Sequence, residues 1–230
     1  MRYTIAFILI VLCFQFNSAQ IYEIGAFLGG SNLIGDVGKT NYIAPNKTAF
    51  GGILKWNRSP RHSFRISLIY SELEANDADS DDPRRKERGY SYVNNSFLEF
   101  SAGIEFTFLD FNLHNPGNKT TPYIYTGVSV ASYDNYYFNN GEQISENTSS
   151  LAYGIPMILG LKTTLSDHWI LAGEIGARYT FTDELDGSVP DTPENFDLFA
   201  FGNLNNNDWY IFTGITLTYT FGRKPCYCDF

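Results

Sequence analysis

Leu98-Glu99-Phe100-Ser101-Ala102-Gly103-Ile104-Glu105-Phe106-Thr107-Phe108 alternates strictly between large apolar and small or charged residues. Side chains of a β-strand point to opposite faces at successive positions, so one face carries Leu98, Phe100, Ala102, Ile104, Phe106 and Phe108 and the other Glu99, Ser101, Gly103, Glu105 and Thr107. The polar face holds two carboxylates, and the apolar face is continuous.

The same period recurs along the chain. Trp169, Leu171, Gly173, Ile175, Ala177, Tyr179 and Phe181 oppose His168, Ala172, Glu174, Gly176, Arg178 and Thr180; Trp209, Ile211, Thr213, Ile215, Leu217, Tyr219 and Phe221 oppose Tyr210, Phe212, Gly214, Thr216, Thr218 and Thr220. Five weaker stretches, around residues 22–28, 50–56, 64–71, 124–130 and 153–162, complete a set of eight. Each is about ten residues long, the length a tilted strand needs to cross a bilayer. A soluble sandwich alternates too, so connection lengths decide. Long polar segments at 31–47, 72–95, 134–149 and 183–207 alternate with short ones near 59–60, 112–119 and 166–167, as external loops and periplasmic turns do in bacterial barrels. Trp56 and Trp169 fall at the periplasmic ends of their strands and Trp209 at the external end, as interfacial girdles require. The expected fold is all-β, an eight-stranded antiparallel transmembrane outer-membrane β-barrel with a filled lumen and both termini periplasmic.

Composition agrees. The chain has 230 residues, 17% aromatic residues, 20 glycines and a net charge of −9, with a mean hydropathy of −0.20. That balance suits one lipid face and one polar face, and the acidity argues against nucleic acid as a partner. Arg2 followed by the apolar run 5–16 and Asn17-Ser18-Ala19 reads as a signal peptide over 1–19. The barrel then covers 20–222 and a periplasmic tail 223–230. Cys13 leaves with the signal, so Cys226 and Cys228 are the thiols of the mature chain. They could bridge each other, bridge a partner, or stay reduced.

Eight strands enclose an interior that side chains fill. The inward charges Glu23, Lys55, Arg65, Glu99, Glu105, Lys162, Glu174 and Arg178 should therefore form a polar network; Glu23 with Lys55 and Arg65 with Glu105 lie at similar heights on adjacent strands. His62, His114 and His168 all map to periplasmic turns, which leaves no histidine at the external rim for nucleophilic catalysis. No catalytic, cofactor or metal site is assigned. Asp77-Ala78-Asp79-Ser80-Asp81-Asp82 lacks the sixth-position glycine and the twelfth-position glutamate of a calcium loop, where Arg88 stands, and reads as a self-neutralising loop with 84–88. Asp183-Glu184-Leu185-Asp186 reads as a solvated turn.

Several longer segments carry a family resemblance. Phe27-Leu28-Gly29-Gly30-Ser31-Asn32-Leu33-Ile34-Gly35-Asp36, Gly176-Ala177-Arg178-Tyr179-Thr180-Phe181-Thr182-Asp183, Asn207-Asp208-Trp209-Tyr210 and Phe221-Gly222-Arg223-Lys224-Pro225-Cys226-Tyr227 occur in order. Together they resemble the PorG-type outer-membrane proteins of Bacteroidetes type IX secretion. The resemblance implies a component of the secretion and gliding machinery that sits in outer-membrane lipid. It also implies that the barrel anchors or positions a periplasmic ring of a PorK-like lipoprotein and PorN-like subunits. The tail residues Arg223, Lys224, Cys226, Tyr227 and Cys228 are the expected partner or disulfide contacts. A general envelope-stabilising or adhesive barrel acting through its long external loops is the alternative.

Overall fold

The computed structural model describes residues 21–113, 117–203 and 206–222. The signal segment, the tail with its two cysteines, and His114 lie outside the described residues. The eight strands are β1 (Ile21–Ile34), β2 (Lys47–Asn57), β3 (His62–Asn76), β4 (Ser91–Thr107), β5 (Thr120–Asn139), β6 (Glu142–Thr164), β7 (Trp169–Thr180) and β8 (Trp209–Phe221). Each pairs antiparallel with the next, and β1 pairs with β8, which closes the barrel. Closure leaves no sheet edge with unpaired backbone groups in the barrel wall itself.

The barrel is apolar outside and polar inside. Phe100, Ile104, Ile124, Leu159, Ile175 and Leu217 are exposed on its outer wall, while their strand neighbours Glu99, Glu105, Tyr125, Ile158, Glu174 and Thr216 are buried. The outer wall carries aromatic pairs at two levels. Tyr22–Phe221, Trp56–Phe64 and Trp169–Tyr219 ring the end with the short turns, and Phe50–Tyr70 and Tyr179–Trp209 ring the opposite end, with centroids 5.1–5.9 Å apart. These are register neighbours on adjacent strands, so the girdle follows directly from the pairing.

Strands overrun their expected lengths at the loop end. β5 and β6 continue past the barrel as a hairpin joined only by Asn140-Gly141, both at positive φ (51° and 88°). The expected long loop at 134–149 is therefore corrected to strand, and this connection, the third of the four expected to be long, is shorter than the turn at 108–119. Asn-Gly is the residue pair a two-residue hairpin turn favours, and it was present in the sequence. β3 and β4 likewise reach Asn76 and Ser91, joined by a 3₁₀ turn and helix α1 (Pro83–Arg88). Asp82 caps α1 by accepting Arg84 N–H, and Gly89 ends it in the left-handed region at φ 73°. The last connection, 181–208, contains helix α2 (Pro193–Phe199).

Loops 35–46 and 181–208 fold over the barrel mouth. Val37 and Leu185 are fully buried with Leu33, Leu73, Tyr92, Tyr136 and Phe138, forming an apolar cluster above the ionic lumen. Tyr90 stacks on Phe138 at its margin, Phe201 meets both rings edge-on, and Arg88 lies over Tyr90 and Phe201.

Candidate functional site

All eight inward charges predicted from alternation lie inside the barrel and are at most 4% exposed. They comprise four carboxylates and four cations, so the lumen is formally neutral. Near the short-turn end Glu105 is the hub: Lys55 Nζ lies 2.8 Å and Lys162 Nζ 2.7 Å from its carboxylate, and Arg65 Nη1 lies 4.0 Å away. Arg65 makes a bidentate pair with Glu174 at 2.7 and 2.8 Å, and the Tyr123 hydroxyl donates to the same carboxylate at 2.6 Å. Higher up, Arg178 donates to Glu99 from Nε at 2.9 Å and Nη2 at 3.3 Å, and the Tyr210 hydroxyl donates at 2.6 Å. Aromatic rings cover the cations: Arg65 lies over Tyr125, Arg178 over Phe212 and Lys162 over Phe111.

The expected neighbour pairing needs correction. Glu23 stands opposite Lys55 in register, yet no ion pair joins them; Glu23 accepts from Asn57 Nδ2 at 2.8 Å and Thr218 Oγ1 at 2.9 Å. Arg65 likewise takes Glu174 across the lumen more closely than Glu105 beside it. Lys and Arg side chains are long enough to cross so narrow an interior, and a planar guanidinium matches a carboxylate best head-on. Alternation gave the height of each charge but not its reach. Tyr123 and Tyr210 were missed as partners, although the same period points them inward.

At the loop end, the self-neutralising reading of 77–88 fits the structure. Asp77 is fully buried, pairs with Arg88 at 2.7 Å, and accepts backbone N–H from Gly38 and Tyr90. The solvated-turn reading of 183–186 does not hold: Leu185 and Asp186 are 0% exposed, because 181–208 folds back onto 35–46. Asp186 accepts backbone N–H from Asp36, from Val37 at 3.2 Å and from Ser188 at 2.9 Å. Asp208, also fully buried, accepts Leu185 N–H at 2.9 Å. Burial, followed by the neighbouring carboxylates, pushes the Asp208 carboxyl well above its ordinary range, and burial also raises Asp186. Burial and the charges of Asp186, Asp36 and Glu184 push Asp183 up to about 7.

The sign of the resulting pH dependence follows from linkage. Unfolded aspartates lose their protons near 3.8, whereas Asp183 in the folded loop keeps its proton to about 7, so the folded loop holds more protons between these values. The stabilisation is full below pH 3.8 and is lost as pH rises to about 7. Limited proteolysis of 181–208 in chelated buffer should accordingly speed up from about pH 4 to about pH 7, and a flat or opposite profile contradicts this assignment.

His62 opens β3 and His168 immediately precedes β7, both at the short-turn end. Among the described residues, no group of three or more His, Cys, Asp or Glu side chains stands ready to hold a metal ion.

The chain belongs to the family described as Domain of unknown function (DUF6089), whose model matches residues 2–230. No curated protein matches it. Among solved structures it is similar to the N-terminal β-barrel domain of Pseudomonas aeruginosa OprF (12% identity, TM-score 0.45, 89% of this chain and 98% of that one). It is similar also to Neisserial surface protein A (9%, 0.47, 89% and 98%) and to a major outer membrane protein from Thermus thermophilus (16%, 0.46, 89% and 100%).

Proposed function

We propose that this DUF6089 barrel is an integral outer-membrane protein, closed to passage, that anchors the type IX secretion and gliding machinery. It positions a periplasmic ring of PorK-like lipoprotein and PorN-like subunits rather than conducting cargo or catalysing a reaction. The observation that carries the membrane part is the reversal of polarity. Exposed Leu28, Leu54, Ile104, Leu159 and Leu217 clothe the outside while the charges are paired within. In water this arrangement would expose a continuous apolar belt; in lipid each face meets the medium it suits. Paired charges spanning the lumen under a packed mouth argue against a pore, so function moves to what protrudes. The secretion part is supported by the resemblance of the ordered segments from Phe27 to Tyr227 to PorG-type proteins.

The alternative is a general envelope barrel acting through its external side. It draws support from the ordered head built by the β5–β6 hairpin and the two folded loops. One paired experiment separates the readings. A tagged full-length chain should retain periplasmic ring subunits on mild detergent extraction, and a chain ending at Gly222 should lose them and block cargo export. Trimming the hairpin at 136–145 should leave both intact. Normal export with the truncated chain, together with loss of function on trimming the hairpin, would favour the envelope reading.

A further inference from the structure

Four aspartates converge where loop 35–46 meets loop 181–208: Asp36, Asp183, Asp186 and Asp208. Asp208 is fully buried, and its Oδ1 has no hydrogen-bond partner. A Cβ added at Gly35 would run into both Asp208 Oδ1 and Asp186 Oδ2, so the two oxygens face the same small volume beside this glycine. Both oxygens of Asp183 are shielded from water and also without a partner. The nearby cations are committed elsewhere. Arg88 is paired with Asp77, and Arg85 bonds the carbonyls of Gly35 and Gly38 and approaches Asp36 at 3.9 Å. Among the described residues, no Lys, Arg or His forms an ion pair with Asp183, Asp186 or Asp208.

This departs from the lumen, where Glu99, Glu105 and Glu174 each face a lysine or arginine and Glu23 accepts hydrogen bonds from Asn57 and Thr218. A buried carboxylate without a partner is costly, and either a proton or a bound cation relieves it. We propose that Asp183, Asp186 and Asp208 form a divalent-cation site of the hard, oxygen-seeking class, calcium by preference, that clasps loop 181–208 to loop 35–46. The donors on hand are all oxygens, without imidazole or thiolate, which selects calcium over zinc or copper. Occupation needs the carboxylates to close in, since no ready group of three exists among the described residues. Asp183 supplies that movement because its oxygens have no bonds to give up. Calcium's tolerance of irregular coordination and retained waters suits such a partly assembled set. The inference is independent of the proposed role in secretion.

The test uses the full-length barrel in detergent at about pH 7, with terbium as the probe. Tyr133, whose hydroxyl donates to Glu184, and Tyr136, whose hydroxyl donates to the Leu185 carbonyl, lie close enough to sensitise its luminescence. The expected result is a saturable signal displaced by calcium, with affinity reduced about tenfold or more in Asp183→Asn and in Asp208→Asn, and unchanged in Asp81→Asn. Asp183→Asn removes no hydrogen bond, so it keeps the test valid if Asp208→Asn fails to fold. Calcium should also slow proteolysis of 181–208 at the same pH. A wild-type barrel with no calcium-displaceable signal, or one whose signal survives both substitutions, overturns the proposal and leaves protons as the neutralising species.

Discussion

Glu105→Ala will prevent the barrel from folding to its compact, heat-modifiable form. Glu105 is fully buried and holds Lys55 at 2.8 Å and Lys162 at 2.7 Å, with Arg65 at 4.0 Å. Removing its charge leaves three cations gathered around a vacated carboxylate, in an interior where water cannot readily replace it. Breaking one buried pair by deleting a partner costs about 3–5 kcal/mol. Here two short pairs fail together, so the loss should sit at or above the top of that range, comparable to the whole stability of an ordinary domain of about 5–15 kcal/mol. Glu23→Gln is the contrast: its partners Asn57 and Thr218 are neutral, so the cost should be about 1 kcal/mol. Urea titrations in lipid vesicles, read by the shift between folded and unfolded bands on unheated gels, check both. Wild-type folding of Glu105→Ala would mean that its lysines find other partners.

Leu159→Arg will impair insertion by an amount that depends on the lipid. Leu159 is 61% exposed on the outer wall, opposite Ile124 on β5 and Ile175 on β7, midway between the Trp169–Tyr219 and Tyr179–Trp209 pairs. On the proposed reading that position is the bilayer midplane, where an arginine on the lipid face costs about 2–4 kcal/mol. Asp81→Arg, on an exposed loop, should stay within about 0.5 kcal/mol. If the outer wall faced water instead, Leu159→Arg would be neutral or would improve solubility, and comparison of the two variants in vesicles decides between these outcomes.

The register of residues 98–108 was legible because a period of two allows only one assignment of faces once one face is apolar. The same logic placed every lumen charge and both levels of aromatic residues. What it could not give was the choice of partner: Arg65 and Glu174 lie 109 residues apart and meet only because the sheet closes. The third loop was misjudged for a different reason. Residues 134–149 stand beyond the outer apolar belt, and Tyr136, Tyr137 and Phe138 run together before a polar stretch broken only by Ile144, so the alternation is lost and Asn140-Gly141 alone announces the turn. Asp183-Glu184-Leu185-Asp186 misled because local composition matched an exposed turn; its burial depends on Gly35-Asp36, 150 residues earlier. The apolar Leu185 among three acids was the available signal. Arg223, Lys224, Cys226, Tyr227 and Cys228, on which the partner reading turns, lie outside the described residues.

The central claim is that the outer wall meets lipid while the lumen is packed with paired charge. Nitroxide labels placed singly at successive positions from Leu98 to Phe108 in the bilayer-reconstituted barrel test it most directly, by comparing collision with oxygen, which concentrates in lipid, against a water-soluble nickel chelate. The predicted result is a period of two: labels at Leu98, Phe100, Ala102, Ile104 and Phe106 reached by oxygen and not by nickel, and labels at Ser101 and Thr107 reached by neither. Labels at Phe100 and Ile104 that collide freely with the nickel chelate would contradict it.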